Sequence, residues 1–214
     1  MSSIKFSFIH TSHTHVKRFK NVLRRYSGVQ ASHFVDEELL GDILLRGEIG
    51  KDHELRFKGL IKEVNKTYPQ LVICTCSTLG QIISKGKGMN NVVGLDQPMI
   101  ETCIEKHQKV VVAYTLKSTV FPTLELIAKT AKALNKPVEI IECFCEKAWE
   151  YFPHDVDQYL TKIKEALLPF IQKGDAIILA QASMGGVKQM MSTDKPLYSS
   201  DEIGIDYYVR SLMK

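Results

Sequence analysis

The chain is 214 residues long, 44% apolar and 24% charged, with a formal net charge of +4. These values are ordinary for a globular protein, and the length allows one large domain or two small lobes with a well-buried core. No stretch approaches the ~20 apolar residues of a membrane span, and residues 1–10 lack the apolar segment of an export signal, so a soluble cytoplasmic protein with no membrane partner is expected.

The first apolar run, at 4–9, reads as a strand. After it Val16, Phe19, Val22 and Leu23 recur at helical spacing. The basic residues of that segment, Lys17, Arg18, Lys20, Arg24 and Arg25, fit the wet face of this helix better than a nucleic-acid stripe, so no nucleic-acid partner is expected. A second strand is expected at 31–35. A helix follows at 54–68, with Leu55, Leu60, Ile61 and Val64 inward and Pro69 ending it. The run at 71–76, Leu-Val-Ile-Cys-Thr-Cys, reads as a fully buried strand, and 79–85 as a short helix. Gly86, Lys87 and Gly88 lack the wider pattern of a phosphate-binding loop and read as a turn.

The order then repeats. A strand is expected at 110–114 and a helix at 122–134, with Pro122 near its first turn. Another strand falls at 138–143, and a helix at 157–172 is closed by Lys173 and Gly174. The last buried strand, 176–180, leads into Gln181-Ala182-Ser183-Met184-Gly185-Gly186. Short apolar runs alternating with helical stretches are the signature of βα units around a parallel sheet. The interval from Thr11 to Cys76 matches that from Thr115 to Gln181 within one residue. The reading is therefore an α/β protein of two similar doubly wound parallel-sheet lobes related by pseudo-twofold symmetry. The first takes residues 1–91 plus 195–214, and the second takes 92–194. Ligands in open parallel sheets bind beyond the carboxyl ends of the strands. Four such ends are expected to face one cleft: His10-Thr11, Cys76-Ser77-Thr78, Tyr114-Thr115 and Gln181-Ala182-Ser183.

These strand ends resemble the motifs of the aspartate/glutamate/hydantoin racemase superfamily. Val72 to Gly80 resembles its first cysteine motif, in which a buried strand ends in Cys, a small polar residue and Thr. Ala113 to Thr119 resembles its second Thr-rich loop, and Ile177 to Met184 stands where the family carries its second cysteine motif. Order and spacing agree over nearly the whole chain, with 196–212 resembling the closing strand and helix. The resemblance implies a cofactor-independent isomerase in which two thiols flank a substrate α-carbon, one removing a proton and the other returning one. It also allows a homodimer. Cys76 stands at the first thiol position, but the second holds Gln181, followed by Ala182.

A cysteine at the junction of a buried strand and a helix is placed for reactivity, since a free thiol titrates near ~8.5 and helix N-terminal amides lower that value. The same amides, with the Ser77 and Thr78 hydroxyls, suit a carboxylate. Thr115, Ser118 and Thr119 form the mirror pocket, and Thr11, Tyr114 and Ser183 complete the substrate-binding set. The alternative is that Cys76 is a small buried strand residue without chemistry. Gln181 does not titrate usefully, but its amide can donate to a substrate or enolate-like oxygen. Three outcomes stay open. Another group supplies the second proton, with His10 and Tyr114 the nearest candidates; or Cys76 alone runs one-sided chemistry such as decarboxylation or isomerisation; or the protein binds a small carboxylate without turnover. His10 also reads as a hydrogen-bonded strand-end histidine, and Tyr114 as a lid or packing group.

The five cysteines, an odd number without an export signal, are expected as free thiols. His10, His13 and His15 lie close together, but no carboxylate completes a metal-ligand spacing. Cys74-x-Cys76 and Cys143-x-Cys145 fall in strands of different lobes rather than in knuckle turns. Neither a metal nor an organic cofactor is expected. The chemistry expected is isomerisation at the α-carbon of a small carboxylic or amino acid, with Cys76 as acid or base.

Overall fold

The computed structural model describes residues 4–86 and 89–213. Lys87 and Gly88 of the expected turn lie outside the described residues. The chain divides into two compact units, Met1–Leu95 with Ile205–Lys214, and Asp96–Gly204.

The first unit runs β1 (Ile4–His10), α1 (His13–Leu23), β2 (Val29–Val35), α2 (Glu37–Arg46), α3 (Lys51–Asn65), β3 (Leu71–Cys74), α4 (Gly80–Lys85) and β4 (Val92–Gly94). Its four strands form a parallel sheet in the order β2-β1-β3-β4. The central strands read as continuous apolar runs because they are covered on both faces: Phe8, Ile9, Val72 and Ile73 are fully buried. Phe19 of α1 and Phe57 of α3 are buried with them.

The second unit runs α5 (Gln97–Lys106), β5 (Lys109–Tyr114), α6 (Lys117–Ala133), β6 (Glu139–Phe144), α7 (Val156–Leu167), β7 (Ala176–Leu179) and β8 (Leu197–Ser199). The last helix, α8 (Ser200–Leu212), starts in this unit and ends in the first. The second sheet is parallel in the order β6-β5-β7-β8, the same topology as the first. Alternate residues of β5 and β7 serve two cores. Val111, Ala113, Ile177 and Leu179 pack with Tyr159, Ile163 and Leu167 of α7. Val110, Val112 and Ile178 pack with Met99, Ile100 and Ile104 of α5 and Ile127 of α6.

Several boundaries move from the sequence reading. β4 pairs with β3 and β8 with β7, so residues 92–95 belong to the first unit and 195–204 to the second. Three-residue strands are too short to show an alternating pattern. Each half is thus a four-stranded unit. α2 is a helix absent from the sequence-based expectation, although its start and stop signals are present. Asp36 caps it by accepting from the Leu39 amide at 3.1 Å, and Gly47 ends it at φ 76°. α3 starts and stops three residues before the expected span, which turns Leu55 out to 69% exposure and puts His53 and Phe57 in the core instead. α6 begins at Lys117, so Ser118 and Thr119 lie in its first turn and Pro122 lies inside the helix. The helix expected at 157–172 ends as α7 at Leu167 and tightens to a 3₁₀ segment, Leu168–Lys173, where Pro169 removes an amide donor.

Candidate functional site

The strand expected at 71–76 ends at Cys74, where the ladder with β1 stops at the Ile9–Cys74 pair. The Thr75 amide still donates to Ile9 O at 3.0 Å, and Cys76, extended at φ −99° and ψ 110°, caps a 3₁₀ turn of Ser77–Leu79. Cys76 is 9% exposed, whereas Cys74 behind it is 2% exposed, with its thiol 3.8 Å from Cys76 O. Ser77 and Thr78 are buried in that turn, and Thr11 is buried beyond the end of β1. The helix after Cys76 is a 3₁₀ turn and the six-residue α4. Such a short element carries little macrodipole.

His10 is fully buried, and both of its ring nitrogens are engaged. Nδ1 lies 2.9 Å from Thr75 Oγ1 and Nε2 lies 2.9 Å from Nδ1 of His33 on β2. Burial, then the neighbouring His15, His33 and His13, holds its pKa down at about 2. This corrects the expectation of His10 as an acid or base: a neutral imidazole sealed between two protein partners meets no substrate proton. Burial and the nearby Lys20 hold His33 down at about 4. Neither Thr75 nor His33 is in the expected site set. The available signal for Thr75 was a hydroxyl inside an otherwise apolar buried run, which calls for a partner.

In the second unit the register makes Gln181 the counterpart of Cys76. Each stands two residues beyond the last ladder pair, Ile9–Cys74 in one unit and Ala113–Leu179 in the other. Gln181 likewise precedes a 3₁₀ segment, Ala182–Met190, with its carbonyl accepting from the Met184 amide as that of Cys76 accepts from Leu79. Its side chain is locked: Oε1 accepts from the Thr115 amide at 2.7 Å and from the Thr115 hydroxyl at 2.9 Å. A backbone N–H only donates, so this contact fixes which end of the amide is oxygen and turns Nε2 away from Thr115. Among the described residues nothing accepts from Nε2. Thr115 thus holds the Gln181 amide in one orientation. Thr115→Val is expected to destabilise the protein by about 1 kcal/mol, the worth of one buried hydrogen bond, measured as a lower urea midpoint with an unchanged m-value.

The remaining expected residues of this unit divide. Thr119 is buried and Ser118 partly buried in the first turn of α6. Ser183 is hydrogen-bonded to the Tyr159 hydroxyl at 2.8 Å. Tyr114 donates to Glu142 at 2.9 Å and stacks on Phe144, and burial followed by that carboxylate pushes its pKa up to about 12. It is a packing group, not a proton donor. Lys117 adds an exposed cation at the start of α6, its ammonium 5.6 Å from the Phe144 ring centre. All five cysteines are thiols rather than disulfides, and Cys143 and Cys145 are buried in the core that packs against α7. Among the described residues no group of three or more His, Cys, Asp or Glu is arranged to hold a metal. No helix among them is long and apolar enough to cross a membrane.

No protein-family model matches the chain, and no curated protein matches its sequence. Solved structures do. The aspartate racemase of Picrophilus torridus superposes with a TM-score of 0.74 over 99% of this chain and 95% of its own, at 16% identity. The fold is that of the amino-acid racemases. A glutamate racemase from Francisella tularensis, solved with D-glutamate, gives a TM-score of 0.66 over 100% of this chain and 82% of its own, also at 16% identity. The allantoin racemase of Klebsiella pneumoniae gives 0.63 over 99% and 88%, at 13% identity. The racemase fold indicated by the strand-end motifs is thus present from end to end of the chain.

Proposed function

We propose that this chain belongs to the aspartate/glutamate/hydantoin racemase superfamily and is a cofactor-independent isomerase acting at the α-carbon of a small carboxylic or amino acid. The observation that carries the reading is the equivalence of Cys76 and Gln181, one a thiol and the other a locked amide donor, at the same strand end of two units with the same topology. The naming of structural neighbours as aspartate, glutamate and allantoin racemases supports a small polar substrate of this kind. Cys76 as thiolate takes the α-proton, leaving a thiol and an enolate-like carbanion. Gln181 Nε2 donates to a carboxylate or enolate oxygen, with Lys117 and the first turn of α6 adding positive potential. Ser77, Thr78, Thr11 and the Ser118–Thr119 turn hold the carboxylates.

Gln181 cannot return a proton. Return from the Cys76 thiol restores the starting configuration with exchange, whereas return from a water on the opposite face inverts it. Incubation with a panel of small dicarboxylates and amino acids in deuterium oxide separates these results by mass and chirality of the recovered acid. Deuterium with scrambled configuration is expected of a racemase. Deuterium with retention marks one-sided exchange by Cys76, and a deuterated product lighter by carbon dioxide marks a one-thiol decarboxylase of the same fold. A thermal shift by an acid of the panel without deuterium uptake makes the chain a small-carboxylate-binding protein and overturns the enzyme reading.

A further inference from the structure

The two units share some polar contacts as well as their strand order, and they differ beside the strand end that carries Cys76. In the first unit the residue ending the central strand, His10, bonds to His33 on the neighbouring edge strand; in the second the equivalent Tyr114 bonds to Glu142. The registers coincide, Phe8 opposite His33 and Val112 opposite Glu142. Beyond the ladder, Thr75 N donates to Ile9 O as Ala180 N donates to Ala113 O, so Thr75 and Ala180 are counterparts. Only in the first unit does the polar chain continue, from His10 Nδ1 to Thr75 Oγ1 and from that hydroxyl to Ile9 O at 3.3 Å. Where the strand end carries Gln181, the preceding residue is Ala180, which has no side-chain hydroxyl.

We propose that His33, His10 and Thr75 are positioning residues for Cys76, a buried relay that pins the strand end presenting the thiol. The inference rests on the reading of Cys76 as the reacting group and adds the residues through which its presentation is set. The ladder that holds β3 ends at Cys74, so residues 75 and 76 depend on other contacts. Thr75 supplies two of them to Ile9, one through its amide and one through its hydroxyl, and the hydroxyl is held in turn by His10. His10 is fixed by His33 at 2.9 Å and by near-parallel stacking on Phe8, with ring centres 5.7 Å apart. If Thr75 donates to Ile9 O, then His10 Nδ1–H donates to Thr75 and His33 Nδ1–H donates to His10 Nε2, one consistent direction with both imidazoles neutral. The other titratable groups facing the relay lie on α1: His15, whose Nδ1 is 3.5 Å from Thr75 Oγ1, with His13 and Lys20.

The test follows the thiol itself and needs no substrate. The rate of alkylation of Cys76 by iodoacetamide is measured against pH by mass of the Cys76 peptide in native protein, Thr75→Val, Thr75→Ser and His33→Phe. Val keeps the shape of Thr and removes the hydroxyl; Phe keeps the ring stack and removes Nδ1. Thr75→Val and His33→Phe are expected to displace the pH–rate profile and change the rate at neutral pH by about fivefold, in line with loss of one buried hydrogen bond, while Thr75→Ser follows the native curve. Superimposable profiles for native, Val and Phe proteins, all unfolding cooperatively, would overturn the relay. Should Thr75→Val fail to fold, His33→Phe at the half-buried outer end decides the matter. A displaced profile in a protein that exchanges no α-proton would leave the relay standing and remove the isomerase. An unchanged profile in an active isomerase would do the reverse.

Discussion

Cys76→Ala is expected to lower α-proton exchange by about 10³-fold, within the range lost when a positioned acid or base is removed, and to leave the fold in place. The side chain is small and lies at the rim of the buried set, 9% exposed against 2% for Cys74, so truncation is expected to cost only about 1 kcal/mol of stability. Two controls separate chemistry from packing. Cys76→Ser preserves size while replacing the thiol by a hydroxyl that stays protonated near neutral pH, and it is expected to be as inactive as the Ala variant. Cys74→Ala removes the neighbouring thiol at the end of β3 and is expected to lose stability without losing exchange beyond a few-fold. A Cys76→Ala protein that keeps native exchange with any acid of the panel would assign the chemistry elsewhere.

The fold was legible because both central strands of each sheet are covered on two faces and therefore stand out as unbroken apolar runs, as at Val110 to Ala113 and Ile177 to Leu179. The strand ends could be placed for the same reason, and with them Cys76 and Gln181. What stayed out of reach depends on contacts between residues far apart in sequence. Nothing near Gln181 announces that Thr115 grips its carbonyl oxygen from 66 residues away, and nothing near His10 announces His33 on the next strand. The polar character of His10 suggested acid–base work; only the pairing of β1 with β2 shows both nitrogens consumed inside the protein. The shortest elements, β4 and β8, are set by hydrogen bonding to an already buried neighbour and carry no periodic signal of their own. The outward turn of Leu55 has a related origin. Its helix is amphipathic through Phe57, Ile61 and Val64, and the buried His53 fills the place that hydrophobicity alone would assign to Leu55.

The buried histidine pair also predicts how the protein meets acid. Both imidazoles are held neutral, chiefly by burial, with pKa values down at about 2 for His10 and about 4 for His33 against 6.5 in an unfolded chain. Between pH 6.5 and about 4 the unfolded state therefore binds protons that the native state refuses, and the stability supplied by these groups is full above pH 6.5 and lost as pH falls toward the native values. Two protons would correspond to about 2.7 kcal/mol per pH unit, and water at half-buried His33 reduces its share, leaving an expected loss of about 2 kcal/mol per unit. The window from pH 6.5 to 5 lies above the ordinary carboxylate range, so histidines dominate it. Urea unfolding free energies are expected to fall by about 1 kcal/mol between pH 7 and 6, where the unfolded rings are only partly protonated, and by about 2 kcal/mol between pH 6 and 5, and His33→Phe, which deletes one titrating ring while keeping the stack on Phe8 and His10, is expected to flatten the lower interval by nearly one proton. A native slope near zero across this window would mean that both rings gain a proton in the folded state. A chain of neutral imidazoles leading to Thr75 could not then hold the strand end at Cys76.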